Sequence, residues 1–447
     1  MNTRFYTQIK NSSYKSIDGV NGTRLSTDIV TEGEKVKILI WQIISVIGLN
    51  IAYIIVISDI FDYYNFQYEF DFFKFIIGIF ILLLSLGLGF KINKAYFSAI
   101  YNVIFLYLLC GQVIYYQYNP DVSIIQVIVI FSCLIFIFLF SRINKKFERP
   151  VRIKNSDFYI GLVTIFLFLP FLILFYNHIN LKNLLFIDVY KTRAYFNGIK
   201  NSYTAYASAH LARILLPYLI VRKLVKKQHI MMILYIVMLL YLYLCGALKS
   251  IFIGLLALLV FYKGTYYKKT IFFIKGISFI SFGGIIMYNL FDNIFILDKF
   301  VRRVLFVPAR LGNITYEYFK DNLTYLSHSP FGFGIVDYPY DLGPAHYIGE
   351  VVIGTPGLSA NTGVFTEGLM SFGLLGGIVA ALICSLILLY FGMVEINPKY
   401  FGLIFVYIYY MNTSVLSTLL LTHGLFFLMF FASLFLREEG KTFVKKK

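Results

Sequence analysis

Three residues in one long polar stretch are able to move a proton: His346, Glu350 and Glu367. Histidine is the side chain most often used as a base near neutral pH, and His346 lies four residues before Glu350 in PAHYIGE. Glu367 sits in SANTGVFTEGLMSFGLLGG, where a small, polar, glycine-rich run turns apolar without a break. Any of the three is a candidate base for activating an acceptor hydroxyl; for Glu367 the competing role is an ion pair with an arginine. Cations surround them in the sequence. Lys191 and Arg193 stand in VYKTRAYFNG, Lys249 in GALKS, and Arg302, Arg303 and Arg310 in DKFVRRVLFVPARLGN. His210 and Arg213, three apart in SAHLARILLP, share one helical face. Guanidinium forks match phosphate oxygens two at a time, so such a set suits a phosphate or diphosphate. If that group leaves, stabilising its charge as the bond breaks is electrostatic catalysis, and one well-placed donor is worth about 3–4 kcal/mol. Plainer roles compete: snorkelling for Arg213, a solvated helix face for Arg302 and Arg303. Pro308 before Arg310 and Leu-Gly-Asn after it predict a positioned loop there.

The same stretch is rich in tyrosine, with Tyr316, Tyr318, Tyr325, Tyr338, Tyr340 and Tyr347. Each offers an apolar ring face and a polar tip, which is what sugar binding uses; the alternative is an interfacial aromatic belt. Tyr316, Tyr340, Tyr347 and Asn361 are the sugar-binding candidates. Glycines from Gly332 to Gly363 predict a tightly folded segment with several turns. His423, in LLTHGLFF, reads as a packed polar residue or a supporting group. Asp59, Asp62, Glu69 and Asp71 lie between the first two apolar runs, where acids at a membrane rim are usually solvated. Cys110, Cys133, Cys245 and Cys384 all lie in apolar runs without metal-ligand spacing and read as core residues. No metal site and no cofactor are expected.

These residues must be positioned by a membrane protein. Of the 447 residues, 59% are hydrophobic and 14% charged, with a mean hydropathy of +0.74; a soluble domain keeps about 25% charged. About twelve apolar runs approach the roughly 20 residues needed to cross a bilayer. They predict an all-α, polytopic chain with one large external loop. A tail (1–37) precedes nine spans over 38–290, with an external loop at about 177–203; a large external segment (291–367) is followed by three spans over 368–436 and a basic tail (437–447). The start is polar with no short apolar core and cleavage site, so no cleavable signal peptide is expected. If the N-terminus is cytoplasmic, the tails and alternate loops on that side hold 27 of the 40 Lys and Arg, which satisfies the positive-inside rule. Loop bias of this kind accounts for the net charge of +17 better than nucleic acid does. No internal repeat suggests the two halves of a transporter.

Four features together resemble a known family: the number and orientation of spans; RVLFVPARLGNITYEYF opening a large external loop; SANTGVFTEGLMSFGLLGG leading into the tenth span; and a polar-broken final pair ending in LSTLLLTHGLFF. The chain resembles the bacterial oligosaccharide repeat-unit polymerases, the Wzy-type O-antigen and capsular polysaccharide polymerases, over most of its length from about Tyr190 onward. The resemblance implies a GT-C-like fold in the bacterial cytoplasmic membrane with both termini cytoplasmic. It implies metal-independent, inverting glycosyl transfer between undecaprenyl-diphosphate-linked donor and acceptor glycans on the outer face. Arg193, Arg213, Arg302 and Arg310 match the diphosphate-holding role by position, and Asn361 and Glu367 would face the sugar acceptor. The related ligases use a loop histidine, for which His346 is the nearest candidate. A chain-length regulator and a repeat-unit flippase would be partners. Three other readings stand beside it: an O-antigen-type ligase, a lipid-linked oligosaccharide flippase or transporter, and a polyprenyl-phosphate-dependent transferase using Asp59 and Asp62.

Overall fold

The computed structural model describes residues 29–148, 155–185, 189–246 and 249–437. The apolar runs form helices because they are long, free of charge and closed by polar caps. Thr31 and Glu34 make a reciprocal capping box at the first helix, and Asp71 accepts the Lys74 amide at the second. Among the described residues, eight helices are long and apolar enough to cross a membrane: Glu32–Ile60, Phe72–Phe90, Ala95–Tyr118, Ser156–His178, Ser202–Val225, His229–Gly246, Tyr266–Phe291 and Val364–Val394. The remaining four expected spans are shorter helices, Ile125–Phe140, Lys249–Phe261, Phe401–Met411 and Leu425–Phe435. The chain is thus an all-α, multi-spanning membrane protein. Most of the two tails and the GALKS turn fall at or beyond the limits of the described residues, as does the side chain of Lys249.

Ala95–Tyr118 lies at the centre, its apolar window wholly buried, whereas those of Phe72–Phe90, Ser156–His178 and Tyr266–Phe291 are one-third buried. The outward side chains of those peripheral helices, such as Phe80, Phe166 and Phe279, match a lipid surround. Inside, buried polar pairs cross between helices. Gln42 donates to Asn102 (2.6 Å), and Ser45 bonds Ser278 (2.7 Å).

The two ends of the bundle differ. One gathers the start and finish of the described chain: Ile29 bridges Lys94 and Ile396 bridges Arg437. We call it the basic face. The other, the loop face, carries 61–71, 119–123, 176–185, 189–201, 292–363 and 412–417.

The largest departure from expectation lies at the loop face. The segment 291–367 does not open as a loop. Leu297–Phe306, wound in wide π-type turns, passes directly into α-helix Val307–Phe319, and Pro308 sits at the junction, where it removes one N–H from the helical bonding. This helix is wedged into the bundle. Phe306 packs on Tyr53 with ring centroids 5.0 Å apart, and a methyl group on Gly111 would come within 2.7 Å of the Leu305 carbonyl. Arg310 is therefore helical, and the expected positioned loop around it is corrected.

The glycine-rich run is also not a straight entry into a span. Helix Val364–Val394 breaks at Phe372 and Gly373. Residues eight apart in a straight helix are about 12 Å apart, yet a methyl on Gly368 would overlap the Gly376 carbonyl. The chain folds back on itself there, so 364–371 is a short helix laid against the start of the span proper. Gly373 makes the reversal with φ +63° and ψ −151°, a region that only glycine adopts readily. Gly373→Ala is expected to cost about 1–3 kcal/mol, read as a lower unfolding temperature in detergent. The amides of Thr324 and Tyr325 satisfy the carbonyls of Met370 and Ser371 that the break leaves open.

Candidate functional site

The reversal at Gly373 delivers Glu367 into the protein interior, where it is 3% exposed. Its Oε1 lies 3.3 Å from His328 Nε2, and its Oε2 accepts the Leu416 amide at 2.5 Å. Gly363, one turn earlier, allows this seating, because any Cβ there would overlap the backbone of Met411 and Asn412. A carboxylate only accepts hydrogen bonds, so it draws the proton of His328 onto Nε2 and leaves the Nδ1 lone pair facing away. His328 Nδ1 is buried and has no hydrogen-bond partner among the described residues. The arrangement is a base oriented by a fixed acid. Glu367 was expected as a base or as an arginine's partner; the side chain that meets it is His328, which the sequence reading did not single out. The signal was present, since LSHSPFG is one of the two histidine-bearing turns of the segment.

His346 and Glu350 do pair, at 3.0 Å between Nδ1 and Oε1, but on the surface: their side chains are 52% and 31% exposed. They belong to a short helical stretch, 344–352, and to each other rather than to the Glu367 group. The tyrosines divide similarly. Tyr318 and Tyr347 share a hydroxyl hydrogen bond of 2.8 Å, the Tyr340 ring lies 4.4 Å from that of Tyr347 and tilted by 54°, and Tyr338 lies 5.3 Å from Tyr340. Tyr338 is also 6.1 Å from the His328 ring, so this aromatic cluster adjoins the Glu367–His328 pair. Tyr316 is not part of it and packs against the main core. Asn361 is exposed and accepts from Ser359 at 3.1 Å.

A second group of polar side chains lies across the 411–423 connection, whose Leu416 amide holds Glu367. Arg213, in a wide turn of its helix (Leu211–Leu215), lies 4.7 Å over the Tyr410 ring, and the His423 ring is 4.7 Å from the same tyrosine. Wide turns of this sort recur at functional positions. Arg213 Nη1, Tyr410 Oη and His423 Nδ1 are all buried without a hydrogen-bond partner among the described residues. His210 turns away, bonding the Tyr206 carbonyl through Nδ1.

The remaining arginines behave differently from one another. Arg302 is buried and spent on structure: Nε donates to Asp298 at 2.8 Å, Nη2 donates to the same oxygen, and the guanidinium lies 4.0 Å over Phe61. Lys299 (2.7 Å) and Arg303 (3.6 Å) complete a set of three cations on Asp298, with the Arg303 side chain 53% exposed. Arg302 and Arg303 thus have a carboxylate partner already, four and five residues away. Arg310 is free of one; it lies 5.9 Å from the Tyr64 ring, and its buried Nε has no partner in the protein. Arg193 stands on helix Val189–Ile199, which packs on His229–Gly246. Burial pushes the Asp298 carboxyl up, but hydrogen bonds from Lys299 and Arg302 and the charges of Arg302 and Arg303 outweigh it, so its pKa falls below the ordinary value. A carboxyl lowered on folding adds stability above its unfolded pKa and loses it as pH falls through the lowered one. Asp298→Asn is therefore expected to lower the unfolding temperature at neutral pH, with the difference from wild type shrinking as pH falls below about 4 and vanishing only below the lowered native pKa.

Among the described residues, no group of three or more His, Cys, Asp or Glu is placed to hold a metal ion. Cavities of about 420, 1050 and 640 Å³ open elsewhere, and none is lined by His328, Glu367 or Arg213. Comparison with protein-family models, curated proteins and solved structures gave no match.

Proposed function

We propose that the chain is a glycosyltransferase that joins undecaprenyl-diphosphate-linked oligosaccharide repeat units into O-antigen, capsular or exopolysaccharide on the outer face of the bacterial cytoplasmic membrane. In this reading the loop face is external, both termini are cytoplasmic, and the twelve helical runs form a GT-C-like bundle. A chain-length regulator and a repeat-unit flippase would work beside it. One observation carries the proposal: among the described residues, six side chains toward the loop face, Arg213, Arg310, His328, Tyr338, Tyr410 and His423, each hold a buried polar atom without a hydrogen-bond partner. Buried polar groups are normally satisfied. Unpaired guanidinium, imidazole and phenol groups in one region call for a ligand rich in phosphate and hydroxyl oxygen.

The geometry supports the following roles. Arg213 and Arg310, which form no ion pair among the described residues, take the donor diphosphate. His328 Nδ1 accepts the proton of the acceptor hydroxyl while Glu367 holds the ring. The acceptor oxygen attacks the anomeric carbon from the side opposite the diphosphate, the glycosidic C–O bond breaks, and the diphosphate leaves with its electron pair, inverting the centre. Tyr340 and Tyr347 offer ring faces to sugars beside His328.

The test is a deletion strain complemented with wild type or Arg310→Ala, its surface glycan resolved on a gel. Collapse of a ladder to a single repeat unit, restored by wild type and not by Arg310→Ala, supports the proposal. Full-length polymer accumulating on the lipid carrier would identify a ligase instead, and single repeats trapped on the cytoplasmic side a flippase.

A further inference from the structure

The basic face carries a cavity that glycan transfer on the loop face does not use. It holds about 640 Å³, and its charged lining is Lys91, Lys94, Arg142, Lys145 and Lys146 against one carboxylate, Glu395. Several separate parts of the chain build it: the 91–97 turn, the 141–146 stretch, the end of helix Val364–Val394, and Tyr266. It is held in shape by specific contacts. Lys94 donates to the Ile143 carbonyl, Lys146 pairs with Glu395, and the Phe147 amide donates to the Met393 carbonyl. Those contacts occupy two of the cations. Arg142 lies 4.7 Å from the Phe138 ring, and among the described residues the side chains of Lys91 and Lys145 form no hydrogen bond or ion pair.

The result is a built pocket with four more positive than negative charges. Burial, and then the charge of Lys146, lowers the Lys94 pKa, so the cations crowd one another in the absence of an anion. The wall is not uniformly polar, since Tyr96, Phe97, Leu389 and Met393 line it as well. Its volume falls within the range of small-molecule sites, about 300–1,000 Å³. General loop bias explains cations spread over a face; it does not explain five converging on one cavity with an apolar wall.

We propose that this cavity binds a phosphate-bearing ligand at a site distinct from the one on the loop face. Two sources share that chemistry: the headgroup of an anionic phospholipid in the adjoining leaflet, and a soluble diphosphate. Basic pockets between membrane helices take lipid headgroups of this kind.

The test uses the full-length protein in detergent. Native mass spectrometry compares retention of phosphatidylglycerol with phosphatidylcholine, and calorimetry measures sodium pyrophosphate. The variant is Lys91→Ala/Lys145→Ala, whose side chains hold nothing in the fold; the control is Lys263→Ala/Lys268→Ala on the same face. Retention of phosphatidylglycerol over phosphatidylcholine, weakened about tenfold to thirtyfold in the variant and unchanged in the control, establishes the site with a lipid source. Pyrophosphate binding with the same pattern establishes it with a soluble source. Binding of neither probe, or equal weakening in variant and control, overturns the proposal. A folded Lys145→Glu protein that binds as wild type does would overturn it too.

Discussion

His328→Ala is expected to lower the rate of repeat-unit joining by about 10²–10⁴-fold, and to lower the unfolding temperature as well, because it leaves the buried Glu367 carboxylate with only the Leu416 amide. The size of the effect follows from what the imidazole does: a general base contributes only if its lone pair is aimed and its other nitrogen is held. Both conditions are met by His328, whose Nε2 faces Glu367 at 3.3 Å and whose Nδ1 has no partner in the protein. Glu367 acts through His328 and is a positioning residue. Glu367→Gln would keep the shape and the Leu416 contact through its amide oxygen but lose the charge that favours the productive tautomer. Turnover should fall, and the acid limb of the pH–rate profile should move; a merely structural glutamate would leave that limb in place. His346→Ala is the matched comparison. Its ring is half exposed and tied only to Glu350, so the loss should be small. If His346→Ala abolished joining while His328→Ala retained it, the assignment of the base would be reversed. The assay is polymerisation of purified lipid-linked repeat units, followed by chain length against time.

The second large effect separates two arginines that look alike in sequence. Arg302→Ala is expected to cost about 3 kcal/mol of stability. Breaking a buried pair strands its partner, and Asp298 here keeps Lys299 and the more exposed Arg303 as partial substitutes, which places the figure at the low end of the range. Arg213→Ala should do the reverse. That guanidinium has a buried nitrogen unpaired in the protein and an aromatic ring for support, so removing it relieves an unsatisfied group and leaves stability nearly unchanged. Donor affinity should fall instead, seen as a raised KM, with kcat falling as well because charge develops on the diphosphate as it leaves. Thermal unfolding in detergent and steady-state kinetics on the two variants check this together. Loss of stability in Arg213→Ala with normal kinetics in the survivors would place that residue in the scaffold.

The site was only partly legible beforehand. Glu367 stood out because it is a lone carboxylate at the edge of an apolar run, and Arg213 because an arginine inside a span is costly. His328 and Tyr410 did not stand out. Neither has a near neighbour in sequence that makes it chemical; His328 meets a residue 39 positions away, and Tyr410 meets Arg213 and His423 from three different segments. His346 and Glu350 drew attention for the opposite reason. Their i, i+4 spacing guarantees that they meet on any helix, buried or not, so the spacing carried no information about a site. The arginines of DKFVRRVLFVPARLGN look like one set in sequence, and the structure divides them: Asp298, at the head of the same stretch, pairs with Arg302 and Arg303.

What this sequence determined by itself is the membrane character and the helical runs. Both are properties of local composition: about 20 apolar residues must satisfy their own backbone in lipid, and a helix is the way one segment does so alone. Alternate basic loops were legible for the same reason, each being a count over a short window. Tertiary structure decided the rest. It turned the first third of the long polar segment into a wedge against the central helix, because Gly111 leaves room for the Leu305 backbone. It folded the glycine-rich run back at Gly373 and so buried Glu367 beside His328. It left Arg213 and Arg310 without carboxylate partners while neutralising Arg302. These outcomes depend on which backbones approach closely and which charges are already paired, and both are sums over distant contacts that no window of sequence contains.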